Sequence, residues 1–168
     1  MVIDTGDSPP IKQKAYRVPL NKRKIIDKEI ENMLKLGVIE PSSSCWASPV
    51  HIVPKKDGGT RFCIDFRKIN AITVTETTVL PTPEEIFDDL NGATIFTTLD
   101  LLSAYWQASL DKKSRKKTAF ITHRGLFQFN RVCFGLKNAS AYFQRMMNKV
   151  LSKFIGKFCY VYRDDLVI

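Results

Sequence analysis

Residues 158–168 read FCYVYRDDLVI, which places Asp164 and Asp165 between two short apolar runs. This pattern predicts two strands, 158–162 and 165–168, joined as a hairpin. Adjacent carboxylates at the tip of a hairpin repel each other and resist burial. A divalent cation would remove both costs. The alternative is an Asx turn at Asp164 with an exposed neighbour, which binds nothing.

A third aspartate, Asp100, ends the β-rich run at residues 93–99. Carboxylate oxygens without a nearby His or Cys favour Mg²⁺ or Mn²⁺ over zinc. Two such ions about 4 Å apart can activate an attacking hydroxyl and stabilise the leaving oxygen of a phosphoryl transfer. Asp100, Asp164 and Asp165 are therefore the candidate catalytic and metal-binding residues.

Charge is distributed unevenly along the 168 residues, whose net charge is +9. Residues 71–111 contain 7 acids and no Lys or Arg, whereas residues 112–157 contain 12 cations and no acid. A stretch of like charges is typically matched by an external polyanion, and nucleic acid phosphate is the commonest one. The alternative is a solvated basic face.

Composition excludes several classes of protein. With 44% hydrophobic residues, 8 Gly and 8 Pro, the chain fits one globular domain or two small subdomains, and neither a collagen-like nor a disordered protein. The polar start and the lack of an apolar run of about 18 residues argue against a signal peptide and a membrane span. Four dispersed cysteines and two His argue against a disulfide scaffold or a zinc site. We expect a soluble intracellular domain.

Helices and strands are mixed without βαβ regularity, so the fold class is predicted to be α+β. Residues 1–20 are expected to form an extended lead-in. Asn21 is expected to cap a helix that Gly37 stops, and Thr82 with Glu85 to form a capping box. The predicted helices span residues 21–36, 82–90 and 138–155, and the predicted hairpins pair 46–54 with 61–66 and 117–122 with 126–131.

Five blocks of the chain resemble reverse transcriptases. Tyr162-Arg163-Asp164-Asp165 resembles their Y-x-D-D box, and LDLLSAY at 99–105 resembles their first metal-binding strand. The other blocks are GVIEPSSS at 37–44 with WASP at 46–49, RFCIDFRKIN at 61–70, and FGLKNA at 134–139 with FQ at 143–144. Together the blocks cover about residues 33–168, and their spelling is closest to polymerases of gypsy-type LTR retrotransposons.

The resemblance implies the fingers and palm of a right-hand polymerase with an antiparallel palm sheet, in a domain over residues 21–168. That domain would copy an RNA or DNA template into DNA, using dNTPs and two Mg²⁺ or Mn²⁺ ions. The metal ligands would be Asp100, Asp164 and Asp165, helped by the carbonyl of Leu101.

The resemblance also implies a nucleotide pocket. Lys55 and Arg61 would contact the triphosphate, with Lys56 as an alternative to Lys55. Tyr105 would lie under the sugar and exclude a 2′-hydroxyl, the alternative being a core tyrosine. The other residues implied at the nucleotide or the template-primer are Ser103 and Ala104 through their amides, Phe134, Gly135, Gln144, Tyr162 and Arg163. For Phe134, Gly135 and Gln144 the alternative is a packing role.

The chain departs from the family pattern at four positions. Arg163 stands where an apolar residue is usual, and it could pair with a metal-binding carboxylate or contact the primer phosphate. Cys45, Cys133 and Ser140 stand where proline is usual. The chain also stops three residues after Asp165, so we expect the thumb and RNase H regions of a longer polyprotein to be missing.

Three functions remain open at this point. The first is a polymerase fragment of a Pol polyprotein, acting in the cytoplasm or in virus-like particles. The second is a truncated or decayed retroelement relic that binds nucleic acid without catalysis. The third is an unrelated nucleic-acid-binding module, whose binding would not depend on Mg²⁺ or on Asp164.

Overall fold

A computed structural model describes residues 1–54, 58–77, 82–162 and 165–168. The first residues precede α1, turn at residues 6 and 7, and are packed into the protein: Met1, Ile3 and Thr5 are buried. The Ile3 amide donates to the Ser114 hydroxyl (2.9 Å), and the Lys117 ammonium donates to the Ile3 carbonyl (2.7 Å). The lead-in is therefore held by a distant part of the chain.

Five helices and eight strands make up the described structure. The helices are α1 (Leu20–Lys35), α2 (Arg67–Ile72), α3 (Pro83–Asp89), α4 (Lys112–Arg115) and α5 (Ala139–Val150), with short 3-10 turns at Ala104–Gln107 and Lys116–Thr118. The strands are β1 (Ile39–Pro41), β2 (Ser48–Pro54), β3 (Thr60–Ile64), β4 (Thr98–Asp100), β5 (Phe120–Thr122), β6 (Gly125–Phe129), β7 (Tyr160–Tyr162) and β8 (Asp165–Val167).

The strands form two sheets. The five-stranded sheet has the order β1-β6-β5-β2-β3 and is antiparallel except for β2 against β5. The three-stranded sheet has the order β4-β8-β7 and is antiparallel throughout. Both sheets contribute to one apolar cluster, in which Phe120 of the first sheet and Val161 of the second are buried.

Local sequence signals predict several elements correctly. Thr82 and Glu85 form the expected capping box at the start of α3. Gly37, with φ +65°, follows α1 in the left-handed conformation that glycine adopts without strain. The strand pairs of all three predicted hairpins are present, and the turns at residues 55–57 and 163–164 lie outside the described residues.

Other boundaries differ from the prediction. α1 begins at Leu20 after Pro19, and Asn21 does not cap it, because the Asn21 side chain accepts from the Lys22 amide instead. Of the predicted run 93–99, only Thr98 and Leu99 lie in a regular strand, β4, and Thr97 extends its pairing through two hydrogen bonds to Ile168. Residues 91–100 are exposed, so burial does not hold the earlier residues in a sheet. Along the described parts of the chain, every helix falls short of what a membrane span requires.

Candidate active site

Asp100 and Asp165 lie directly opposite each other on the antiparallel strands β4 and β8. Opposite residues in such a pair share a face, with Cβ atoms about 5 Å apart, and like charges there destabilise the sheet. Both residues are exposed. Tyr162 of β7 is opposite Asp165 on its other side, so the three side chains form one row. A cation bound to this row would offset the repulsion between the two acids.

Of the four predicted metal ligands, only Asp164 falls outside the described residues. Asp164 and Arg163 stand between β7 and β8 in the chain and lie outside the described residues. Among the residues that are described, no cluster of three or more His, Cys, Asp or Glu side chains could hold a metal ion. Asp100 and Asp165 are the two candidate ligands that the structure brings together.

Gln144 braces the strand that leads to the acids. It is 1% exposed, and its side-chain amide donates to the Val161 carbonyl in β7 (2.9 Å) and to the Asn148 side chain (3.0 Å). The side chain therefore faces the interior. The template contact of Gln144 stays a prediction, and the observed contacts show that Gln144 also holds β7 against α5.

Tyr105 forms the wall of a small aromatic cluster. Its ring is buried and meets the rings of Phe134 and Phe143 edge-on, at centroid distances of 4.5 and 5.3 Å. Its hydroxyl lies 2.8 Å from the Ser140 Oγ, and either oxygen could donate. Phe134 remains 58% exposed. The two residues predicted to line the nucleotide pocket are thus in contact, one buried and one open to solvent.

The backbone before Tyr105 has an unusual conformation. Ser103 has φ +50°, which non-glycine residues rarely adopt and which is common at functional sites. The amides of Leu102 and Ser103 donate to no other described residue. The Leu101 carbonyl accepts from the Ala104 amide (3.2 Å) and keeps a second lone pair. Free amide donors are what an anionic group would need here.

The loop at Phe134 is clamped to the 61–70 block. The Asn70 side chain donates to the Gly135 carbonyl (2.7 Å) and accepts from the Lys137 amide (3.0 Å). Gly135 has φ +89°, and a Cβ there would lie 3.5 Å from the Phe66 ring. Asn70 was not predicted as a site residue, because its partners lie more than 60 residues away.

An ion pair in the same block was also missed by the sequence reasoning. The Arg67 guanidinium donates to both carboxylate oxygens of Asp65 (2.8 and 2.7 Å), and the Tyr16 hydroxyl donates to one of them (2.7 Å). These hydrogen bonds, led by that from Arg67, hold the pKa of Asp65 well below its ordinary value although burial opposes them. Arg61 is exposed on β3, opposite Val53, whereas Lys55 and Lys56 lie outside the described residues.

The basic stretch 112–157 divides into two sets. Five of its twelve cations are bound within the protein, by Glu31, by Glu76, or by amide and carbonyl oxygens. Seven have no side-chain partner in the part of the chain that the structure describes: Lys112, Lys113, Lys116, Arg131, Lys149, Lys153 and Lys157. The charge available to a polyanion is therefore smaller than the sequence suggests.

Comparisons with known proteins indicate one family over nearly the whole chain. The family model described as reverse transcriptase (RNA-dependent DNA polymerase) matches residues 53–168. The Pol polyproteins of the Drosophila melanogaster transposons opus and gypsy are each 40% identical over 99% of the chain. The chain spans only 17% of either relative.

Solved structures give the same answer for the fold. The protease-reverse transcriptase of prototype foamy virus matches 99% of the chain with a TM-score of 0.88 and 30% identity, over 22% of that protein. A foamy viral protease-reverse transcriptase in complex with an RNA/DNA hybrid matches with a TM-score of 0.84 and 25% identity, over the same shares of the two chains. The observed fold is thus the α+β fold of polymerase fingers and palm, and the chain belongs to the reverse transcriptase family.

Proposed function

We propose that this chain supplies the fingers and palm of an RNA-directed DNA polymerase, which adds dNTPs to a primer 3′-hydroxyl on an RNA or DNA template. The observation that carries the proposal is the register of the three-stranded sheet, which sets Asp100 opposite Asp165. Two exposed acids opposite each other in a member of this family support phosphoryl transfer, since such carboxylates can hold the metal ions that this chemistry uses.

Divalent metal ions are a general requirement of this family. The residues fit such ions, since the opposed carboxylates are hard oxygen ligands whose repulsion a cation offsets. We propose that Asp100, Asp164 and Asp165, with the Leu101 carbonyl, would hold two Mg²⁺ or Mn²⁺ ions. Those ions would make the primer hydroxyl easier to deprotonate and would neutralise charge at the phosphate.

The incoming nucleotide would be bound by the backbone near Ser103 and by the β2–β3 hairpin. The free amides near Ser103 would donate to the triphosphate, with Arg61 and the lysines Lys55 and Lys56 contributing from the β2–β3 hairpin. The Tyr105 ring, in contact with Phe134, would lie beneath the sugar. The contribution of these residues is positioning and charge compensation.

Template and primer would be held mainly through their phosphates, by the seven cations of residues 112–157 that have no side-chain partner among the described residues. The foamy viral neighbour in complex with an RNA/DNA hybrid supports a duplex of this kind as the ligand. Because the chain spans a small share of its relatives, we propose that the thumb and RNase H regions belong to the same larger polyprotein. The cytoplasm or virus-like particles would then be its place of action.

The test is primer extension on poly(rA)/oligo(dT) with dTTP, in Mg²⁺ and in Mn²⁺. We expect extension that falls at least a hundredfold in Asp165→Asn and in Asp164→Asn. Each substitution removes a negative charge that would hold the metal ions, and those ions would stabilise the transition state. Asp89→Asn, which removes the same charge from an exposed site on α3, is the matched control.

Two other results would contradict the proposal. Extension that persists in both aspartate variants would place the chemistry elsewhere. Salt-sensitive duplex binding without any extension, in this chain and in a version joined to a thumb, would indicate a relic that binds nucleic acid only.

A further inference from the structure

Ser140 bonds to a distant side chain. A serine within a helix commonly turns its hydroxyl back to a carbonyl of the preceding turn. Ser140 lies in the first turn of α5, and its Oγ is instead 2.8 Å from the Tyr105 hydroxyl, 35 residues away in the chain. This contact joins α5 to the 3-10 turn at Ala104–Gln107.

The contact sets the tilt of the Tyr105 ring. Phe134 and Phe143 meet the ring edge-on, and Ser140 binds its only polar atom. Because Tyr105 is buried, a rotation that broke this hydrogen bond would leave a hydroxyl without water to replace the lost partner. The ring is therefore held by packing on its edges and by one hydrogen bond at its tip.

The same helix also contacts the strand before the acids. Gln144 lies four residues after Ser140, on the same face of α5, and its amide donates to the Val161 carbonyl of β7. One rigid element thus carries a bond to Tyr105 and a bond to the strand that leads to Asp165. The position of the ring relative to the acids depends on α5.

We infer that Ser140 is a positioning residue that holds Tyr105 at a fixed height beneath the nucleotide sugar, and that it thereby sharpens selection against a 2′-hydroxyl. The inference rests on the proposed function, because the ring selects a sugar only if the site binds nucleotides. A pocket that relies on packing rejects an analogue with an added hydroxyl only about a hundredfold. A misplacement of about 1 Å can change a rate by a similar factor, so a shift of the ring by that distance would remove much of the selectivity.

The experiment compares Ser140→Ala, Tyr105→Phe and the double variant. Two ratios are measured: kcat/KM for dUTP over UTP, which differ only at the 2′ position, on poly(rA)/oligo(dT), and the dissociation constants of UTP over dUTP without turnover, from quenching of tryptophan fluorescence, since Trp106 lies next to Tyr105. We expect each single substitution to lower both ratios about tenfold, and the double variant to lower them no further, since each removes the same hydrogen bond.

Two further variants separate positioning from a general structural effect. Ser140→Thr keeps the hydroxyl and should retain both ratios. Ser152→Ala removes an exposed serine beyond α5 and should change neither. Thermal unfolding of every variant shows whether a change in selectivity merely follows a loss of structure.

The inference is overturned if wild-type protein selects dUTP over UTP and Ser140→Ala selects it equally, or if the two single effects add in the double variant. A protein that binds both nucleotides and incorporates neither contradicts the polymerase proposal, while the ratio of dissociation constants still tests the role of Ser140. A protein that binds neither nucleotide overturns both.

Discussion

The two sheets differ in how completely they are covered. In the five-stranded sheet, Phe120, Phe127 and Phe129 pack on one another and are buried. In the three-stranded sheet all of β4 is exposed, including Leu99 at 47%. The acids lie on the less covered sheet, where carboxylates keep their hydration and a substrate can reach them. Stability and the proposed chemistry therefore depend on different sheets.

Removal of a central ring from the five-stranded sheet should have the largest effect. Phe120→Ala is expected to lower the free energy of unfolding by about 4 kcal/mol, because a fully buried side chain leaves a cavity. Phe96→Ala, at an exposed ring close to β4, is the matched control and should cost less than about 1 kcal/mol. Chemical denaturation at pH 7 measures both, and equal losses would contradict the comparison.

The Asp65 ion pair should have the next largest effect. Asp65→Asn is expected to cost about 2 kcal/mol at pH 7, the scale of hydrogen bonds to a charged group. Because the folded state lowers the pKa of Asp65, its carboxylate stabilises the protein above about pH 4 and loses that contribution as the pH falls.

The measurement is denaturation of wild type and Asp65→Asn at pH 7 and at pH 3. The difference between the two proteins should shrink at the lower pH. Asp89→Asn serves as the control and should show no difference at either pH. A constant gap for Asp65→Asn would mean that the carboxylate is not responsible for the stabilisation.

Substitution of Gln144 removes a contact between α5 and the three-stranded sheet. Gln144→Leu leaves the Val161 carbonyl unpaired, so we expect a loss of about 1.5 kcal/mol in unfolding free energy. Primer extension should fall by more than the loss of folded protein explains, since β7 leads to the acids. Asn148→Ala removes only the outer hydrogen bond of Gln144 and should have a smaller effect on both measurements.

The smallest effect is expected at Arg163. If its guanidinium competes with metal ions for the neighbouring carboxylates, Arg163→Val should lower the Mg²⁺ concentration for half-maximal extension about fivefold, the scale of an exposed ion pair. Arg131→Val makes the same substitution at an exposed arginine that follows β6 and is distant in sequence from Asp164 and Asp165. A similar shift in both variants would indicate net charge alone.

Elements defined by nearby residues were predictable, and boundaries that depend on packing were not. The capping box at Thr82 and the hairpins follow from signals within a few residues. The predicted helix 138–155 ends at Val150, and the predicted strand 93–99 is mostly irregular. Neither segment has the burial that would extend it.

The site was predicted in part, because the resemblance indicates which residue types matter without showing their contacts. It indicated Asp100 with Asp165 and Tyr105 with Phe134, and the structure places both pairs together. It did not indicate that Gln144 faces the interior or that Asn70 holds the loop at Gly135. Those contacts depend on how separate segments pack.

The amino-acid sequence by itself determined the acids, the basic stretch, the short-range turns and the family, because each depends on residue type and on near neighbours. Tertiary structure alone decided which cations find a partner among the described residues, that Gln144 contacts the strand before Asp165, and that Ser140 meets Tyr105. The physical reason is that these contacts join residues tens of positions apart. They form only when burial of the shared core brings the segments together.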